Sequence, residues 1–86
     1  MEERVISGIS YLKSSKYRSD IVMLLHSKIM TPAELQHKLN IRLNHVSLYL
    51  RELKENNIVI CLNEDSKKGR LYQLTELGNE LYDYIN

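Results

Sequence analysis

Apolar residues recur along this chain with helical spacing over most of its length and give way once to a continuous β-branched run. Val5, Ile9 and Leu12, with Ile6 and Tyr11 beside them, predict an N-terminal amphipathic helix within residues 1–14, although Gly8 lowers its intrinsic propensity. Ser15 is a suitable N-cap for the next helix, over about 16–27, with Tyr17, Ile21, Leu24 and Leu25 on one face. Lys28, Ile29 and Met30 read as a short extended connector. Thr31, Pro32 and Glu34 then give the sharpest local signal in the chain. A Thr at N-cap, a Pro at the first helical position and a Glu at the third form a capping box with a pre-set φ. The helix they open is short, with Leu35 and Leu39 facing inward and Asn40 placed for a left-handed terminus.

After a tight turn through Ile41, Arg42 and Leu43, Asn44 is expected to cap a second helix running to about Asn56. Val46, Leu50 and Leu53, at i, i+4 and i+7, form its buried stripe, and Asn57 is the expected left-handed residue beyond its end. Ile58 to Leu62 is short, β-branched and bounded by turn formers, which predicts a strand. Residues 63–69 form a polar, charged loop, and residues 70–74 the returning strand. Thr75 caps a last helix with Leu77, Leu81, Tyr84 and Ile85 along one face. The order helix, helix, helix, turn, helix, hairpin, helix is the winged helix-turn-helix plan: mainly α, with a small β-hairpin wing. One domain spans residues 1–86, comprising an N-terminal helix (1–14), the helix-turn-helix (31–56), the wing hairpin (58–74) and a C-terminal helix (75–86).

The composition fits a small globular domain: 43 % hydrophobic, 27 % charged, one Pro and three Gly. Six Tyr and no Phe or Trp leave a core of Leu, Ile and Val, aided by Tyr bodies whose hydroxyls need partners. A chain of this size often gains stability by dimerising. No apolar run approaches the roughly 18 residues of a membrane span, and residues 1–4 begin acidic without a signal-peptide core, so the chain reads as cytoplasmic and away from membranes. The single Cys61 excludes an internal disulfide and is expected to be a small buried side chain.

The net charge of +1 says little until it is divided along the chain. Residues 42–70 carry six Lys and Arg against four acids, whereas residues 71–86 carry three acids and no base. A polyanion therefore faces the middle of the chain, with the C-terminal helix turned away.

The residues also resemble a known group. Thr31-Pro32-x-Glu34-Leu35, His45-Val46-Ser47, Leu50-Arg51-Glu52-Leu53 and Gly69-Arg70-x-Tyr72-x-Leu74-Thr75, spread over residues 14–81, look like small archaeal-type winged-helix transcriptional regulators related to the MarR and ArsR families. The resemblance implies a recognition helix after the turn and a wing at 63–70. Two positions depart from it: Leu48 stands where such proteins commonly carry Arg, and Asn57 where they carry Gly.

A recognition helix at 44–56 enters the major groove and reads base edges with outward side chains near its start. With Val46, Leu50 and Leu53 inward, the outward set is Asn44, His45, Ser47, Leu48 and Arg51. Asn44 and Ser47 serve phosphates or a base, or else only cap and solvate the helix; His45 is a base or phosphate contact or an ordinary exposed residue. Arg51 is the best phosphate or guanine candidate, against a surface pair with Glu55. Leu48 would touch a thymine methyl, or belong to a protein interface. Tyr49 is expected half-buried. Lys67, Lys68 and Arg70 on the wing suit the DNA backbone or minor groove, diluted by Glu64 and Asp65. Arg42, Gln36 and Lys38 are secondary phosphate candidates.

Nothing in the chain suggests an enzyme, a cofactor or a metal: it has no Gly-rich phosphate loop, no His-Glu-x-x-His and no Cys-His-Asp grouping. The expected function is sequence-specific binding of double-stranded DNA by a homodimeric transcriptional regulator, paired through its N- and C-terminal helices. The alternative is a winged-helix module that binds protein without DNA.

Overall fold

In the computed structural model, which describes residues 2–86, every element contributes to a single apolar core, and side-chain caps open the second, third and fifth helices. Helix α1 (Glu3–Lys13) buries Val5 and Leu12. Helix α2 (Lys16–Ser27) is capped by Ser15, whose hydroxyl accepts from the Arg18 N–H at 3.4 Å. Its buried face is Ile21, Val22 and Leu25. The expected face is therefore rotated: Val22 takes the central place, Leu24 is half-buried and Tyr17 is exposed against Tyr49.

Helix α3 (Pro32–Leu39) carries the predicted capping box. The Thr31 hydroxyl accepts from the Glu34 N–H at 3.2 Å, and the Glu34 carboxylate accepts from the Thr31 N–H at 3.0 Å. Asn40 ends it at φ 55, a left-handed conformation that Asn tolerates better than most residues.

Helix α4 (Leu43–Glu55) buries Val46, Leu50 and Leu53, the stripe read from the spacing. Its start corrects the sequence reading. Asn44 is not its cap; the N-cap is Arg42, extended at φ −71, ψ 146, with no side-chain cap bond. Half-buried Ile41 packs against the core as the chain leaves left-handed Asn40, and the helix begins directly after Arg42. The connection between α3 and α4 is thus Asn40, Ile41 and Arg42 alone, shorter than expected, and Leu43 joins the helix.

Beyond α4, Asn57 adopts φ 61 as anticipated, and the chain enters strand β1 (Val59–Cys61). It pairs antiparallel with β2 (Tyr72–Leu74), Val59 opposite Leu74 and Cys61 opposite Tyr72. Met30 adds a one-residue antiparallel bridge to β2, exchanging both backbone bonds with Tyr72 at 3.2 and 2.9 Å. The connector before α3 is therefore tied to the wing sheet. Cys61 is half-buried rather than buried, its Sγ 3.7 Å from Asn63 Oδ1.

Helix α5 (Glu76–Ile85) starts under Thr75, which accepts from the Gly78 N–H at 3.0 Å and donates to the Asn57 carbonyl at 2.6 Å. One hydroxyl thereby joins the end of α4 to the start of α5. The approach is close enough that a Cβ on Gly78 would lie 2.3 Å from the Ile58 carbonyl oxygen. Gly8 of α1 faces a softer neighbour, since a Cβ there would meet the end of the Leu81 side chain of α5 at 2.7 Å. The glycine that lowers helix propensity leaves room for the Leu81 side chain between α1 and α5.

Tyr84, expected on the apolar face of the last helix, points to solvent instead. Tyr82 stacks on His26 of α2 with ring centroids 3.6 Å apart, whereas Tyr84 is 46 % exposed. Tyr11 is half-buried, and its hydroxyl has no hydrogen-bond partner among the described residues; burial pushes its phenol pKa up. Arg18 lies over the Tyr11 ring, 4.0 Å from its centroid, and reaches Glu52 of α4 at 3.7 Å. This contact fastens α1 and α2 to one flank of α4.

Candidate nucleic-acid interface

Burial of Val46, Leu50 and Leu53 turns the opposite side of α4 to solvent. At about 100° per residue, Asn44, Leu48 and Arg51 fall near the centre of that outward side, with Ser47 flanking them. All four are exposed, as are His45 and Arg42. His45 lies on the far flank, toward Glu52. Among the described residues no ion pair holds Arg51, so the anticipated pair with Glu55 does not form.

The start of α4 is electrostatically bare. No side chain caps it and no acid lies in its first turn. The first N–H groups of any helix lack intrahelical acceptors, and they carry its positive dipole end. Here they open beside Arg42 and Asn44.

The wing loop is built by Asn63. Its side-chain amide donates to the Gly69 carbonyl at 3.2 Å and its Oδ1 accepts from the Leu71 N–H at 2.7 Å, bridging the loop's two arms. Gly69 turns at φ 65, a conformation that favours glycine. Arg70 folds back onto the loop, donating from Nε to the Ser66 carbonyl at 2.8 Å and from Nη2 to the Glu64 carbonyl at 3.2 Å. Part of its guanidinium is thus spent on wing shape, a role the spacing did not suggest. Lys67 and Lys68 at the tip are exposed, while the Glu64 carboxylate is drawn aside by Lys54 of α4.

Between α4 and the wing lies an open cleft of about 690 Å³. Leu43, Ser47, Arg51 and Lys54 form its helix wall, Lys67, Lys68, Gly69 and Arg70 its wing wall, and Thr31, Pro32 and Ala33 its end beside α3. The structure thus brings Ser47, Arg51, Lys67, Lys68 and Arg70 together. Asn44, Leu48 and Arg42 stand exposed outside that wall, and Gln36 and Lys38 lie apart on α3, near shallower hollows. Sequence reasoning missed Leu43, Lys54 and Asn63. The first two were accessible to it: Leu43, Ser47 and Lys54 recur at i, i+4 and i+11, one edge of the helix. Asn63 acts through bonds across the loop, which no spacing encodes. Among the described residues no three His, Cys, Asp or Glu side chains gather as a metal site, and no helix is long and apolar enough to cross a membrane.

No protein-family model matches the sequence, and no curated protein matches it. Solved structures do. Wild-type ZitR of Lactococcus lactis in complex with DNA superposes with a TM-score of 0.75 at 25 % identity, over 83 % of this chain and 49 % of that one. The adhesin competence repressor AdcR of Streptococcus pyogenes gives 0.75 at 19 % identity, over 93 % and 63 %. A mutant MarR of E. coli complexed with operator DNA gives 0.76 at 23 % identity, over 95 % and 60 %. The chain spans 49 to 63 % of the length of these neighbours. Its fold is the winged helix-turn-helix of MarR-like proteins.

Proposed function

We propose that the chain binds double-stranded DNA as a transcriptional regulator, with α4 in the major groove and the wing on the flanking backbone. One observation carries this reading: Arg51, Lys67 and Lys68 converge on the open cleft between the recognition helix and the wing, beside Lys54, which pairs with Glu64, and Arg70, which is partly bound to the wing backbone. A phosphate strand is the polyanion that suits a cleft of this shape and charge. The uncapped start of α4 favours a second phosphate beside Arg42 and Asn44. Two of the superposing structures contain DNA, which supports DNA as the ligand.

Pairing of two copies through α1 and α5 fits this arrangement. Ile6 and Tyr84 are 50 % and 46 % exposed there, and the acidic Glu76, Glu80 and Asp83 are kept to the segment that DNA does not approach. A two-fold pair sets recognition helices about one DNA turn, roughly 34–36 Å, apart on a palindromic site. A cytoplasmic location follows from this function, and the archaeal-type character rests on the motif resemblance alone. Fluorescence anisotropy with a random-sequence duplex at 50 mM salt tests the reading. Saturable binding is expected; its absence removes DNA as the ligand.

One observation favours the protein-binding alternative. Leu43 and Leu48 expose 46 % and 40 % of their surface on the helix that would enter the groove. Leu48→Arg separates the two: duplex affinity holds or rises for a DNA reader, whereas a protein-docking surface loses its partner.

A further inference from the structure

Leu48 sits at the centre of the outward side of α4, and Asn44 is its neighbour one turn earlier. Side chains at i and i+4 stand about 5–6 Å apart at Cβ, between one and two base-pair steps. A phosphate-lined surface gives an exposed leucine no apolar partner. The one apolar group that the major groove presents is the C5-methyl of thymine, and the side chain that reads adenine through N6 and N7 is an amide. Asn44 forms no side-chain hydrogen bond among the described residues, and because it does not cap α4 its amide is free to turn outward.

Resting on the DNA-binding reading above, we propose that Asn44 and Leu48 make the outward side of the first two turns of α4 a reader of A·T pairs, the amide taking adenine and the leucine the methyl of a nearby thymine. Selection from a random duplex pool, followed by anisotropy on the selected site, tests this. A·T pairs are expected at the centre of each half-site. Replacing the contacted thymine with deoxyuridine, which lacks only the methyl, lowers affinity about fourfold, the worth of one buried methyl. Leu48→Ala, at a position too exposed to threaten folding, binds the thymine and uracil duplexes equally and keeps the wild-type salt dependence. Asn44→Ala weakens the A·T site at least about fivefold more than it weakens a G·C-centred site. Selection of G·C at the half-site centre, or no selected sequence at all, overturns the inference, and so does equal affinity of the wild type for thymine and uracil. Each of these outcomes leaves DNA binding itself intact, whereas failure to bind any duplex at low salt overturns both.

Discussion

The two helices of the helix-turn-helix are finished in opposite ways. Helix α3 satisfies its own start: Thr31 and Glu34 exchange bonds, Pro32 supplies the first residue, and Lys28 pairs with Glu34 at 3.3 Å. Helix α4, the longer and more exposed of the two, has no cap, no acid in its first turn and an Arg at the N-cap. Capping is worth about 1 kcal/mol, so its omission from α4 gives up stability that α3 keeps. The contrast separates a supporting element from a reading one. Polar groups closed on themselves fix α3 in place, while those of α4 stay open to a partner, and α4 is held from behind by its buried stripe and on one flank by Glu52 against Arg18.

That contrast is broken most severely from behind. Leu50→Ala removes a side chain that is 1 % exposed and is expected to cost about 2–5 kcal/mol, seen as a large fall in thermal midpoint. Leu48→Ala, on the opposite side of the same helix, stays within about 0.5 kcal/mol of wild type. Equal losses at the two positions would mean that α4 has no free face.

Thr31→Ala is expected to cost about 1 kcal/mol, and for a domain of this size that lowers the midpoint by about 4–8 °C. Arg42→Asp works in the other direction on α4. It supplies the missing cap and is expected to raise stability by up to about 1 kcal/mol, yet it weakens duplex binding by placing a carboxylate where a phosphate belongs. Opposite signs in melting and anisotropy are the signature; a variant improved in both would refute the role given to the bare helix start.

The smallest effect concerns pH. The Thr31 backbone N–H, and then Lys28, hold the Glu34 carboxyl below its ordinary value of 4.5. A carboxylate whose folded pKa is depressed stabilises the fold above its unfolded pKa and loses that contribution as pH falls through the folded value. Thermal stability is therefore expected to decline modestly as pH drops below about 4.5, and less so in Glu34→Gln. Helix α4 has no acid in its first turn to add to this effect.

What was legible in the sequence follows the range of the interactions concerned. The cap at Thr31, the left-handed Asn40 and Asn57 and the Thr75 cap are set within a few residues, and each stands where the sequence puts it. The outward set on α4 was readable because the buried stripe fixes the helix's rotation. The start of α4 was not: Asn44 is the better capping residue, but the packing of Ile41 decides where the helix begins. The stack of Tyr82 on His26 was not legible, because its partner lies on α2, far away in the chain. Arg70 reads as a free wing cation until the loop carbonyls that it binds are seen, and their positions depend on Asn63 spanning the loop.

The central claim is that the cleft between α4 and the wing receives a phosphate backbone. The salt dependence of duplex binding, measured for the wild type and for Lys67→Ala/Lys68→Ala between 50 and 200 mM, tests it most directly. With about five or six phosphates neutralised per dimer, the wild type should give a log–log slope of roughly −5. The double variant should bind more weakly with a slope shallower by about one unit per lost phosphate contact, while melting at the wild-type temperature. A wild-type slope near zero, or a double variant with unchanged affinity and slope, would contradict the account.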